Sequence, residues 1–204
     1  MKLPSVEQAH AYLAEGGRRN PGPWVRHSIV AAETARRIAE HHPALNADAA
    51  YVMALLHDIG RSTGGPHVAD VRHVLDGYRS MLERGFVDSA RICLTHSFPI
   101  KQTDAFAGPW DCPGEEKQFV QDYLDRTEYT GYDRLVQLCD ALALPSGPVL
   151  MEKRLVDVAL RFGFNNFTLA KWQAFLAIRQ EFSEAVGISI YKLLPDVVDT
   201  TFRL

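Results

Sequence analysis

Six residues of this chain are of the types that hold a divalent metal, and each stands where a helix faces inward. His27 has Ala31, Thr34 and Ile38 at i+4, i+7 and i+11, so its ring points along a small or apolar stripe. His57 and Asp58 close the apolar run that begins at Ala50, with Met53 one turn before His57. His73 has Gly77 one turn later, and a glycine there lets another group approach the backbone. His96 follows Ile92 by one turn, and Asp140 lies within the apolar stretch from Leu135 to Leu142. A single buried histidine is more often a satisfied core residue than a ligand. One at a helix C-terminus can simply complement the macrodipole, as suits His41 and His42. Asp140 is harder to dismiss. A buried carboxylate is costly unless paired or metal-bound, and Val136, Gln137, Ala143 and Leu144 offer it no basic partner. Taken together, separate helices bring imidazole and carboxylate groups to apolar faces, and those donors suit a first-row divalent ion.

The elements that must position these residues read as helices almost throughout. The apolar spacing predicts helices over 5–14 with Ser5 as N-cap, over 24–41 stopped by Pro43, and over 48–58 capped by Asn46 and closed by Gly60. Further helices are predicted over 70–84, 88–96, 115–125, 133–144, 149–162 and 167–186. Loops are expected at 16–23, at 61–66 and at the break Ser146-Gly147-Pro148. Residues 98–114, with three prolines and two glycines, read as a surface excursion of the kind that often carries binding residues. With only short β-prone runs and no repeat, the expected fold class is an all-α bundle.

Composition narrows the partners. The chain has 204 residues, 47% hydrophobic and 23% charged, which suits one domain with a core that needs no staples. A net charge of -3 leaves no basic surplus for a nucleic-acid polymer. A small anionic substrate needs only a metal and two or three local cations. Cys93, Cys112 and Cys139 are far apart and form no CxxC pair, so neither a disulfide framework nor a zinc knuckle is indicated. No apolar run approaches a membrane span and the N-terminus lacks a signal-peptide pattern. The expectation is a cytoplasmic protein with no membrane partner.

The order His27, then His57-Asp58, then Asp140 resembles the H…HD…D signature of the HD-domain superfamily of metal-dependent phosphohydrolases. The contexts match as well: WVRHS around His27, ALLHDIGR around the pair and QLCDAL around Asp140. The resemblance covers about residues 24–144. It implies an HD-type helical bundle, with a helical extension over about 149–204 in the same single domain. HD proteins with two metals place two further histidines between the HD pair and the final Asp, and His73 and His96 fall in that interval. The resemblance therefore implies a dinuclear site with His27, His57, Asp58, His73, His96 and Asp140 as ligands and Asp58 as the bridge. The alternative is that His73 and His96 bind substrate phosphate beside one metal. The metal is expected among Fe, Mn, Co, Ni, Zn and Mg, since such donor sets accept ions by availability as much as affinity.

The implied reaction is attack of metal-bound hydroxide on a phosphate ester or anhydride, with Asp58 as the catalytic residue that orients the nucleophile. A nucleotide or another small phosphorylated metabolite is the expected substrate. Arg61, three residues beyond Asp58, is the first candidate for a substrate contact because its fork suits phosphate oxygens. Many family members carry lysine there. Lys101 is the second candidate. Phe98, Phe106, Trp110, Tyr129 and Tyr132 could stack on a base, though such residues more often pack the core or its loops. The extension after Asp140 carries no chemistry that can be named, and its long helix either completes the core or forms a homodimer interface. Two rival functions share the ligand set: a di-iron oxygenase, and a non-catalytic nucleotide-binding regulatory module.

Overall fold

Helix α1 (Val6–Arg19) starts where Ser5 and Gln8 close a reciprocal capping box. It runs on through Gly16 and Gly17, where a loop was expected. Gly16 is a packing residue rather than a breaker: a Cβ there would stand 2.9 Å from Ser62 Cβ and 3.1 Å from the Trp24 ring. Helix α2 (Pro23–His41) opens on a proline in its first turn and ends before Pro43. Helix α3 (Ala47–Leu56), capped by the Asn46 side chain on Ala49 N–H, is buried along nearly its whole length. It passes through His57 and Asp58 into a 3-10 turn, Ile59–Thr63.

The computed structural model describes residues 1–63 and 71–203. Part of the loop expected at 61–66 and the start of the helix expected at Asp70 therefore lie outside the described residues. Then follow α4 (Arg72–Glu83), α5 (Val87–Thr95), α6 (Gly114–Arg126) and α7 (Gly131–Asp140). Helix α7 stops earlier than its apolar pattern suggested. The chain turns instead into a two-residue antiparallel hairpin, β1 (Ala143–Leu144) and β2 (Gly147–Pro148). Its turn needs Gly147, whose φ is +143° and whose missing Cβ leaves room for Thr200 Oγ1. Helices α8 (Met151–Phe162), α9 (Thr168–Val186) and α10 (Val197–Phe202) complete the chain, the last of them unforeseen. The architecture is all-α, with ten α-helices among the described residues and only this small hairpin as strand. Among those residues no helix is long and apolar enough to cross a membrane.

The main core joins α2, α3 and α7 through Ile38, Leu55, Leu56, Leu135 and Leu138, all fully buried. Helix α9 belongs to the same core. Phe175, Ile178 and Phe182 enter it, and each such burial is worth roughly 1.5–3 kcal/mol. A second cluster of Val71, Val74, Leu75, Leu94, Phe98, Val120 and Leu124 packs α4, α5 and α6 together.

One buried charge lies away from the six candidate ligands. Asp133, fully buried, accepts from Arg91 Nη2 at 2.7 Å and from Thr95 Oγ1 at 2.8 Å, which ties α7 to the end of α5. Burial pushes the Asp133 carboxyl up, but Arg91 and Thr130 outweigh it and hold it below its ordinary 3.8. The pair's contribution is therefore full above the unfolded value and is lost as pH falls through the lower folded one. Arg91→Ala is expected to cost about 3 kcal/mol, because it strands a buried carboxylate. Asp133→Asn should flatten the acid limb of the stability curve. Urea melts across pH 3–7 test both, and a curve as steep as the wild type's would show that this pair does not set it.

Candidate metal centre

The site forms where the ends of three helices meet the side of a fourth. His57 caps the C-terminus of α3, His96 caps that of α5 and Asp140 ends α7, while His27 comes from the first turns of α2. His73 lies in the first turn of α4. What brings α4 close is a pair of glycines. A Cβ on Gly60 would stand 2.0 Å from His73 O and 2.4 Å from Gly77 N, and one on Gly77 would meet Cys93 Cβ at 3.0 Å. The turn after Asp58 is pressed backbone to backbone against α4, as the spacing of His73 and Gly77 suggested. Gly60 was expected to close a helix, but close approach is what it supplies.

Three of the rings share one arrangement. His57 Nδ1 donates to Ala54 O at 2.6 Å, His96 Nδ1 to Cys93 O at 2.9 Å, and His27 Nδ1 to Ala143 O at 3.2 Å. A carbonyl only accepts, so Nδ1 carries a proton in each ring, and in the neutral His57 and His96 the lone pair lies on Nε2. Those Nε2 atoms converge. His27 Nε2 lies 3.0 Å from Asp140 Oδ1, and His57 and His96 Nε2 lie 3.8 and 3.7 Å from the two Asp58 oxygens. His73 Nε2 is 3.2 Å from Asp58 Oδ1 and 3.3 Å from His96 Nε2. Two donor sets result, His27 with His57 and Asp140, and His57 with Asp58 and His96, each with its ligand atoms within 4.8 Å of one another.

These residues fit a metal. His57 Nε2 is buried and takes no hydrogen-bond partner, a costly state for a polar atom unless a cation accepts its lone pair. Fixing Nδ1 on a carbonyl is also how a ligating histidine is oriented. Burial pushes His57 down, and His96 down to about 4, so both rings are in the neutral form that ligates. Burial pushes Asp58 up, but Arg61 and the surrounding imidazoles outweigh it and hold the carboxyl well below its usual range. Burial pushes Asp140 up as well, and the hydrogen bond and charge of His27 reverse it, helped by His57 and Arg154.

A cavity of about 1050 Å³ opens onto this cluster, and His27, Asp58, Arg61, His73, His96 and Asp140 line it. His57 stands behind, fully buried. Asp140 ends its helix and keeps 23% of its side chain exposed, so it is a wall residue rather than a carboxylate sunk inside a helix. Arg61 reaches the cavity with its Nε donating to Asp58 Oδ2 at 2.7 Å. The structure does not bring Lys101 there. Its Nζ stands 5.3 Å from the Tyr129 ring centroid, and its carbonyl accepts from Gln121 on α6, so it braces the excursion instead. Of the five aromatics, Phe106 faces the cavity. Phe98 is core, Trp110 donates to Thr103 O, Tyr129 to Phe98 O, and Tyr132 accepts from Asn46 N–H.

A model of the HD domain matches residues 24–144, more than half of the chain. The chain belongs to the HD domain family. HD domains bind divalent metals and form a superfamily of metal-dependent phosphohydrolase type. No curated protein and no solved structure matches the chain. All six clustered residues fall inside the HD domain match. The wall extends outside it, and there it carries three cations: Arg154 and Arg161 from α8 and Lys171 from α9. In the sequence, Arg154, Asp157 and Arg161 at i, i+3 and i+7 form a charged stripe that reads as a solvated face, which is why this part of the wall was missed. Burial pushes Lys171 down to about 8, against the pull of Asp140.

Proposed function

We propose that this HD domain protein is a phosphohydrolase that cleaves a phosphate ester or anhydride of a small metabolite, a nucleotide among the candidates. Two divalent ions would be held by His27, His57, Asp58, His73, His96 and Asp140. The convergence of carbonyl-fixed imidazoles on two ionised carboxylates carries this reading. A divalent ion bound there supplies an acidified water and neutralises charge on a phosphoryl oxygen.

The remaining work belongs to the protein. Asp58, ionised and 4% exposed, is the group within reach of His73, His96 and Arg61 together, so it is placed to orient the incoming nucleophile. Arg61, whose Nε is engaged by Asp58, presents a guanidinium at the cavity wall for phosphoryl oxygens. The Cys93 thiol takes no part: it is buried, donates to Leu56 O, and burial pushes its pKa up. Binding would be strongest with the imidazoles neutral and the carboxylates ionised, and His57, His96, Asp58 and Asp140 are in those states in this fold.

Elemental analysis of the purified protein beside His73→Ala tests the assignment. About two metals per chain are expected, falling toward one in the variant. One metal in both would make His73 and His96 substrate contacts beside a single ion. None in either, after reconstitution, would sink the proposal.

A further inference from the structure

The HD domain match ends at residue 144, yet the cavity continues beyond it. Past Asp140 it opens into a second compartment of about 450 Å³ walled by α8 and α9, with Leu155, Phe162, Trp172 and Phe175 as its apolar body. Arg154, Arg161 and Lys171 line both compartments and so stand at their junction. Arg61 lines the first alone, on the Asp58 side.

The junction carries more positive charge than its own contacts use. Asp157 accepts from Arg154 Nη1 at 3.3 Å and from Arg161 Nη2 at 3.0 Å, one carboxylate for two guanidinium groups. Asp140 lies 4.0 Å from Arg154 Nη2, but its carboxylate is already engaged by His27. Lys171 Nζ donates to Ala105 O at 3.4 Å, which occupies one of three protons. The Arg154 Nε–H is buried and takes no acceptor, and a buried donor is costly to leave unmade. A ligand oxygen on the Nη groups of the same guanidinium would add charge-assisted bonds that its present contacts leave unmade.

We propose that Arg154, Arg161 and Lys171 form a second anion subsite, and that the substrate is a phosphate ester with a second acidic group on an apolar or aromatic body. The scissile phosphoryl group lies at the His/Asp cluster beside Arg61. The second acid lies past Asp140 at the junction, and the body spans the distance between the two acids, on the near side of the compartment walled by Trp172 and Phe175. This rests on the phosphohydrolase reading and adds the shape and charge of its substrate.

Calorimetric titration of the full metal-loaded chain with three phosphonates, which resist hydrolysis, tests it. Benzylphosphonate bears one acid; 4-carboxybenzylphosphonate and 1,4-xylylenebisphosphonate add a carboxylate or a second phosphonate to the same ring. At least one of these two is expected to bind the wild type about tenfold tighter than benzylphosphonate, and the one that gains tells carboxylate from phosphate. In Arg154→Gln and Lys171→Gln that ratio should fall to about one. Equal affinity of the wild type for all three probes, or a ratio that survives in both variants, overturns the subsite and leaves phosphohydrolysis standing. Failure of the wild type to bind any of them overturns both. The wild-type comparison needs no variant, so a substitution that unfolds the protein does not spare the proposal.

Discussion

Asp58→Ala is expected to lower phosphoester turnover on the order of 10³-fold, the scale of losing a charge-stabilising group in an enzyme site. Helix content should not change, because Asp58 follows the last turn of α3 and no helix in the bundle depends on it for a cap. The loss arises from three relations that end together. His73 and His96 lose the anion 3.2 and 3.7 Å from their Nε2 atoms, and Arg61 loses the acceptor at 2.7 Å that fixes its fork. Arg61 keeps 20% of its side chain exposed and can turn toward water, so the substitution leaves no stranded internal charge. Metal content should fall in parallel. A panel of phosphoesters, circular dichroism and elemental analysis read the three effects. Turnover within threefold of wild type would remove the cluster from the chemistry altogether.

A large effect on the fold and on the cluster together is expected at Gly60. A methyl group there would overlap the His73 carbonyl and the Gly77 nitrogen at 2.0 and 2.4 Å, and both are backbone atoms that no rotamer change can move. Either the turn carrying Asp58 and Arg61 lifts from α4, or α4 shifts and takes His73 with it. Gly60→Ala should cost about 3 kcal/mol in urea melts, at the upper end for overpacking, and should also lower metal content. Gly85→Ala is the natural comparison. Gly85 has φ +80° with nothing within 4 Å, so that substitution carries backbone strain of only about 1–2 kcal/mol and leaves the cluster untouched. Equal stability of the two variants would mean that the turn is not pressed on α4.

What the sequence disclosed, and what it withheld, follows the range of the interactions involved. The helices, those that carry the six clustered residues among them, could be read because apolar spacing and caps such as Ser5 and Asn46 act within a few residues. Gly16 and Gly60 misled because their purpose is set by Ser62, Trp24 and α4, partners remote in the chain. Asp140 was singled out for want of a basic neighbour in its own helix. Its partners, His27 and Arg154, come from α2 and α8. Lys101 was put forward on nearness to His96 along the chain, but the excursion carries it to Tyr129 instead. The cations of α8 and α9 were hidden because a stripe of charge looks alike whether it faces solvent or the wall of a cavity.

The hairpin between α7 and α8 bears on where this protein can be divided. The match to the HD domain stops at residue 144, in the middle of that hairpin, with β1 inside and β2 outside. Val149 N–H donates back to Leu142 O, and Leu150 N–H is held by Thr201 on α10. The carbonyl that orients His27 belongs to Ala143, within this same knot of backbone. The stretch that matches the HD domain is thus shorter than the stretch tied together by these contacts. A fragment trimmed to the matched stretch would leave the orienting carbonyl of a metal ligand on a frayed chain end, with the core faces of Leu135 and Leu138 stripped of α9. The family match and the packing of the core end in different places along this chain.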